Sequence, residues 1–468
     1  MRHRAKRCES ILCCALCLTA AGAAPGHAEI VFDPRPAAPA KPSAGAQEAA
    51  EMVLTLADAQ AEALRNNRQV RTAEVEIRRR QSEWKAARAQ RYPSIQAGAL
   101  GSYQAARSGG IDTDKISTVP GLGVSPLFQG GDDRGNAFLG LSISQPVLGL
   151  HTINLKARLQ HAEMETAREQ LRQSEQETVA SVSRAYYQLV AIQSAADANE
   201  EAIRYYRETE RMTSAQVREQ AALRAGLLLV QAQLAEEERQ GVQLRNSLES
   251  GREQVNLLLG RDVRTRFRVS APAEEPGTSD PGALDTLQNE ALRRRPELGQ
   301  ASLAVRKAEL GHRLARAEFR PELNVGITYL RSFGADVLPD NSASVGLFYR
   351  AEVFDWGRRR HQLAARERAV DQAKIGLDDT RDRVLLDVSA QYRGLQNAQA
   401  QRRAAEAAQA AASEQVRNAL AQYRERAVTL SDLLKTQSSL AEANAQRQQA
   451  FSAYLTAAAE LTRAIGGK

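Results

Sequence analysis

Cysteine occurs at only four positions, Cys8, Cys13, Cys14 and Cys17, all close to the N-terminus. They fall inside residues 1–28, which read as an export signal: basic Arg2, Arg4, Lys6 and Arg7, an apolar run from Ile11 to Ala24, and the small-x-small site Gly26-His27-Ala28. Cleavage there leaves a mature chain without cysteine, which excludes disulfides, thiolate metal sites and cysteine nucleophiles together. Acylation of Cys14 or Cys17 requires small residues just before it, and Cys13 and Leu16 stand there instead.

Aromatic residues are also scarce, at 5% against 25% charged. Long stretches of Ala, Gln, Glu and Arg run without proline, the composition of long exposed or paired helices rather than of a compact enzyme. After the signal, no segment reaches the roughly 18 to 20 consecutive apolar residues of a membrane helix, so any membrane crossing is made by strands. The six histidines are scattered without metal-ligand spacing, and there is no Gly-rich phosphate loop, Gly-x-Ser-x-Gly elbow or zinc helix. GGDDRGN at 130–136 lacks the remaining oxygen ligands of a calcium loop and reads as an exposed turn. No catalytic residue, metal site or cofactor is expected, and a passive conduit fits better than an enzyme. The formal charge of +7 includes +3 from the signal, leaving about +4, which is no nucleic-acid footprint.

What is present is a duplication. Residues 62–95 align without a gap on 290–323 at an offset of 228, with Glu62, Ala63, Leu64 and Arg65 recurring as Glu290, Ala291, Leu292 and Arg293. An offset of 206 then holds from Gly140 (Gly346) through Tyr186 (Tyr392), Gln216 (Gln422) and Leu234 (Leu440) to Gly260 (Gly466). The first copy therefore carries 22 extra residues between Pro93 and Gly140, in a Gly-, Asp- and Pro-rich loop.

Each copy is expected to run helix, strand, loop, strand, long helical hairpin. The strands are predicted at Ser94 to Gln104, Phe138 to Val147, Glu322 to Arg331 and Ser342 to Phe354, with apolar residues mostly at odd positions. Their lengths suit tilted transmembrane strands of roughly 9 to 11 residues. On that reading Leu141, Ile143, Leu323, Val325, Ile327 and Tyr329 face lipid, and Ser142, Ser144, Asn324 and Thr328 face the lumen. Phenylalanines and Trp356 in or beside these strands suit interfacial girdles, which a soluble sandwich with one wet face leaves unexplained. Four strands cannot close a barrel, so two copies (eight strands) or three (twelve) are required. The hairpins are predicted over 155–258 and 360–466, with a first arm over 155–214 whose seam includes Leu171, Val179, Val182, Tyr186, Leu189 and Ile192.

The order of these features resembles the TolC family of outer-membrane efflux proteins, from about Leu54 to Gly466. The motifs that carry the likeness are ALRNN (63–67), ARAQRYPSI (87–95), ISQPVL (143–148), EVFDWGRRR (352–360) and QYRERAVTLSDLL (422–434). The resemblance implies a mixed fold, a membrane β-barrel continuing into a long α-helical barrel, with four strands per protomer in a shared 12-stranded trimeric barrel. It implies a homotrimer in outer-membrane lipid, docked on a periplasmic adaptor (membrane fusion) protein and an inner-membrane RND or ABC transporter. Residues 29–53 then form a Pro/Ala-rich peripheral segment, 54–261 the first repeat, 262–283 an equatorial linker and 284–468 the second repeat.

The family's periplasmic gate falls at the second hairpin's turn. Tyr423 matches a gating tyrosine and Asp432 an acidic ring residue. The expected arginine is Val428 here, the turn glycine is Arg426, and a second acidic position is Lys435, while Gly226 stands where the first copy could carry an acid. Arg424, Arg426 and Lys435 are therefore candidate partners of an Asp432 ring, against the plainer reading that Tyr423 packs and Asp432 caps its helix. A type I protein secretion duct is the alternative within the family; a secreted coiled-coil adhesin or scaffold is the alternative outside it.

Overall fold

In the computed structural model, the described residues are 52–103, 135–220, 223–270, 282–333, 339–425 and 427–467. The expected signal, the peripheral segment up to residue 51, residues 130–134 of the GGDDRGN stretch and residues 271–281 of the linker lie outside them, while Gly135 and Asn136, read as part of an exposed turn, begin a strand. In chain order the elements are β1 (Met52–Leu54), α1 (Leu56–Asn66), α2 (Arg68–Ala89), β2 (Ser94–Tyr103), β3 (Gly135–Pro146), α3 (Leu150–Arg218) and α4 (Arg224–Leu259). After these come β4 (Phe267–Val269), α5 (Leu284–Arg294), α6 (Pro296–Ala317), β5 (Glu322–Phe333), β6 (Asn341–Arg350), α7 (Arg358–Arg424) and α8 (Leu430–Ala464).

The single helix expected before each strand pair is two helices, which corrects that reading. In the first copy Asn67 caps α2, its Oδ1 accepting from Gln69 N at 2.8 Å and Val70 N at 3.4 Å. In the second, Pro296 opens α6, where a missing N–H costs nothing. Both breaks are pinned to the end of their own return helix. Asn67 Nδ2 donates to Leu258 O at 2.8 Å, and Arg295 Nη1 reaches Ala464 O, the residue equivalent to Leu258, at 3.4 Å. Gly260 (φ +71°) lies against the Asn66 carbonyl and Gly466 (φ +83°) against Arg294, leaving no room for a Cβ at either. Gln60 Nε2 donates to Ser183 Oγ at 2.9 Å and its twin Gln288 Nε2 to Ser389 Oγ at 3.0 Å. The duplication thus persists down to individual hydrogen bonds.

α3 has 69 residues and α7 has 67, each roughly 100 Å long at 1.5 Å per residue. The first arm thus extends beyond the predicted 155–214 at both ends. Its seam is buried at Val179, Val182, Tyr186 and Leu189 and half-buried at Leu171 and Ile192. Among the described residues, no helix is long and apolar enough to cross a membrane. Leu54 of β1 and Phe267 and Val269 of β4 join Tyr186, Leu259, Val388 and Leu455 in the main core. β1 runs parallel to β4, and the Tyr186 hydroxyl lies 3.0 Å from Leu54 O and 2.7 Å from Ser270 O, tying the two strands to α3. The linker is therefore partly built structure.

The four longer strands form one antiparallel sheet in the order β2-β3-β5-β6. β6 ends at Arg350, so Val353 and Phe354 are not strand residues as predicted. The reason is local. Asp355 accepts from Gly357 N–H and from the Arg359 backbone and guanidinium, while Arg358 pairs with Glu352 at 2.7 Å, closing a turn instead of a ladder.

Candidate functional site

Cross-strand partners decide which residues share a face. Ile143 stands opposite Ile95 and Ile327, Leu141 opposite Ala97 and Tyr329, Val325 opposite Leu347, and Leu323 opposite Tyr349. Odd numbers pair with odd numbers throughout, so every odd residue of all four strands lies on one face. Leu141, Ile327 and Tyr329 are exposed there and Ile143, Leu323 and Val325 half-buried, with Val345 reaching 77% exposure. An apolar face this open in the protomer requires a cover. On the even face Ser144 and Thr328 are exposed and Ser142 and Asn324 half-buried. That face is not uniformly polar: Phe138 is buried, and the Phe348 ring lies across the paired glycines Gly326 and Gly346.

At the other pole, the turn between α7 and α8 holds the candidate gate. Thr429 and Asp432 form a capping box: Thr429 Oγ1 accepts from Asp432 N at 3.2 Å, and Asp432 Oδ2 accepts from Thr429 N at 3.2 Å and from its hydroxyl at 2.7 Å. The hydroxyl, the backbone N–H and then the charge of Lys435 hold the Asp432 carboxyl below the usual carboxylate range. A related cap opens α1, where Thr55 Oγ1 accepts from Asp58 N and its hydroxyl donates to Asp58 Oδ2, without the reciprocal bond from the Thr55 backbone N–H among the described residues. Capping therefore accounts for Asp432 Oδ2. Its Oδ1 makes no hydrogen bond among the described residues, and the carboxylate is exposed, as is Lys435. Tyr423 is half-buried at the end of α7. Arg426 and the Arg424 side chain lie outside the described residues.

Two features near this pole escape the sequence patterns. Tyr206, Val230 and Leu434 form a small core that joins the two hairpins, with Leu430 and Leu234 against it. Burial, aided by Glu237, pushes the Tyr206 phenol up to about 12. Further along, Asn199 Nδ2 donates to Glu237 Oε2 at 2.9 Å between α3 and α4, and Gly241 makes the space, since a Cβ there would sit 2.7 Å from Asn199 Oδ1. A glycine inside a helical pattern is the one signal that pointed to this close approach.

The outer membrane efflux protein family matches residues 60–261 and 287–467, the two repeats without the linker. This chain belongs to that family. No curated protein sequence matches it significantly. Among solved structures it is similar to the CmeC outer membrane channel of Campylobacter jejuni, at 16% identity and a TM-score of 0.74, covering 88% of this chain and 85% of that one. It is likewise similar to CusC, in a study of transmembrane channel formation, at 17% identity, a TM-score of 0.73 and coverage of 88% and 92%. The open-state MtrE outer membrane channel of Neisseria gonorrhoeae follows at 16% identity, a TM-score of 0.70 and coverage of 88% and 89%. The family member described here is an outer-membrane efflux channel that extends into the periplasm, and not an enzyme. Its fold is the expected one, strands for a shared barrel and hairpins for a helical tunnel.

Proposed function

We propose that this efflux channel is the exit duct of a tripartite system: a homotrimer that receives substrate from an inner-membrane RND or ABC pump through a periplasmic adaptor and releases it outside. One observation carries the reading. The sheet is open at β2 and β6, and its odd face is apolar and uncovered. In lipid, an unpaired strand edge leaves backbone groups unsatisfied at several kcal/mol each, so the edges must be taken up by other copies. Three copies give twelve strands and room for a lumen. The odd residues then face lipid and Asn324, Thr328, Ser142 and Ser144 face the lumen.

At the periplasmic end, three copies of Asp432 form a carboxylate ring in which Oδ2 caps the helix and Oδ1 faces passing ions. Tyr423 and Lys435, with Arg424 and Arg426, complete the closing contacts. The test is planar-bilayer conductance of the purified channel together with its mass in detergent. A trimer with discrete conducting steps supports the reading, and a soluble periplasmic monomer sinks it. Within the sheet, Val325→Asp should block barrel assembly, whereas Asn324→Asp should assemble and change conductance. The reverse outcome would exchange the two faces.

A further inference from the structure

Where the helices meet the sheet, both repeats carry the same apolar triplet. Val147, Leu148 and Leu150 in the first copy stand where Val353, Phe354 and Trp356 stand in the second, and all six are exposed. Trp356 is the extreme case, 88% exposed with a φ of +55°. A bulky residue held in left-handed backbone is uncommon and costly. Here Asp355 holds it, through the hydrogen bonds that close the turn, and the Phe354 ring packs edge-on against the indole at 4.8 Å.

The same joints concentrate charge. Residues 85–94 and 144–158 contain five basic residues and no acidic one; the equivalent stretches 313–322 and 350–364 contain seven basic and four acidic. The joints thus hold +8 of a chain whose formal net charge is +7, and everything else sums to −1. Arg358 and Arg359 are taken up by Glu352 and Asp355. Lys85, Arg91, Lys156, Arg320, Arg350 and Arg360 are exposed and have no acidic partner among the described residues. Elsewhere on α2, Arg79 and Arg80 are paired with Glu76 and Glu83, and by the net count the positive excess falls at the joints.

We propose that this belt binds the anionic headgroups of phospholipids at the periplasmic surface of the outer membrane. The triplets enter the boundary of the acyl chains, as interfacial aromatics do, and the unpaired Lys and Arg side chains meet the phosphates. Repeated in every protomer, the belt fixes the depth of the channel by two independent contacts, one apolar and one ionic. The proposal rests on the strand sheet spanning the bilayer.

The chain has two tryptophans, Trp84 and Trp356, so Trp84→Phe leaves Trp356 as a single fluorescent reporter. The full channel is reconstituted in phosphatidylcholine bilayers with about 20 mol % phosphatidylglycerol, with bromine on that lipid or on an equal fraction of the phosphatidylcholine. Brominated phosphatidylglycerol should quench Trp356 about twofold more strongly than its neutral counterpart. The difference should shrink in about 0.5 M NaCl, where the screening length falls to roughly 4 Å. Arg320→Gln/Arg350→Gln/Arg360→Gln should bring the two lipids close to parity. Should that variant fail to assemble, the comparison of the two lipids on the single-tryptophan channel still decides. Equal quenching overturns headgroup selection, and no quenching by either lipid in bilayers that conduct places Trp356 against another copy, which also overturns it. Bilayers that neither conduct nor quench remove the spanning reading and the proposal together.

Discussion

Asn67 and Arg295 occupy the same place in the two repeats and solve the same problem with different chemistry. Each sits between two helices and satisfies a carbonyl at the end of its own return helix, Leu258 O or Ala464 O. Asn67 does so as a neutral cap. Arg295 brings a guanidinium that is 7% exposed, and with it Asp387 at 3.0 Å and Glu297 at 3.1 Å; Asp387 in turn lies 3.4 Å from Arg463. The position demands a donor aimed at the helix end, and either chemistry supplies it. Only the charged version makes its neighbours dependent on it, because a buried ion left without its partner is far more costly than a lost neutral hydrogen bond.

That contrast can be broken at several points. The largest effect is expected at the glycines shared by both junctions. Gly260→Ala adds a Cβ onto the Asn66 carbonyl oxygen in left-handed backbone, and should cost about 3 kcal/mol or more in thermal unfolding of the detergent-solubilised channel. Gly466→Ala should cost less, since its nearest neighbour is the Arg294 Cβ at 2.7 Å. Next, Arg295→Ala should lose about 3 kcal/mol against about 1 to 2 for Asn67→Ala, in the same assay. Equal losses would show that the ionic junction couples to nothing beyond its own carbonyl contact. Smaller still, Gln60→Leu and Gln288→Leu should each cost about 1 kcal/mol, and the double variant close to their sum. A clear difference between them would mean that the matched hydrogen bonds carry unmatched loads.

The two capping pairs, Thr55 with Asp58 and Thr429 with Asp432, allow a comparison between a helix start in the body and one at the proposed gate. Asp432→Asn should reduce the cation preference of the pore, measured as a reversal potential, while Asp58→Asn leaves it unchanged. The acid side is informative as well. Because the Asp432 pKa is lowered, its cap is fully formed above the ordinary carboxylate range and is lost only as pH falls through the lowered value. Cation preference should therefore survive at about pH 4, near the ordinary Asp value. A decline centred at or above that pH would assign the selectivity to other carboxylates.

Much of this molecule was legible before any coordinates, because its strongest signals are periodic. The offset of 206 that pairs Ser183 with Ser389 also pairs the hydrogen bonds they make, and the odd-number rule for the strands matches the register of all three pairings. What escaped notice was short or non-local. β1 and β4 have three residues each and meet across more than 200 residues of chain, too little pattern for a strand to announce itself. Asn67 and Pro296 are ordinary helix-start signals, yet they lie within continuous Ala/Arg/Glu stretches that read as one helix. The alternation through Val353 prolonged β6 on paper, while Glu352 and Asp355 were committed to Arg358 and Arg359 in a turn. For Asp432, residue type alone separates neither a cap nor a gate, and one oxygen is used for each in the reading proposed here.

The even sums of the paired residue numbers have a consequence for how such a sheet can change over generations. Deleting a single residue inside β5 would move the side chains beyond that point to the opposite face, exchanging Val325 for Asn324 against both neighbours at once. Removing two would keep the faces and only slide the ladder. Length variation should therefore collect in the connecting loops, as the 22 additional residues between Pro93 and Gly140 do, while within the strands it is admitted only in steps of two or absorbed by a bulge.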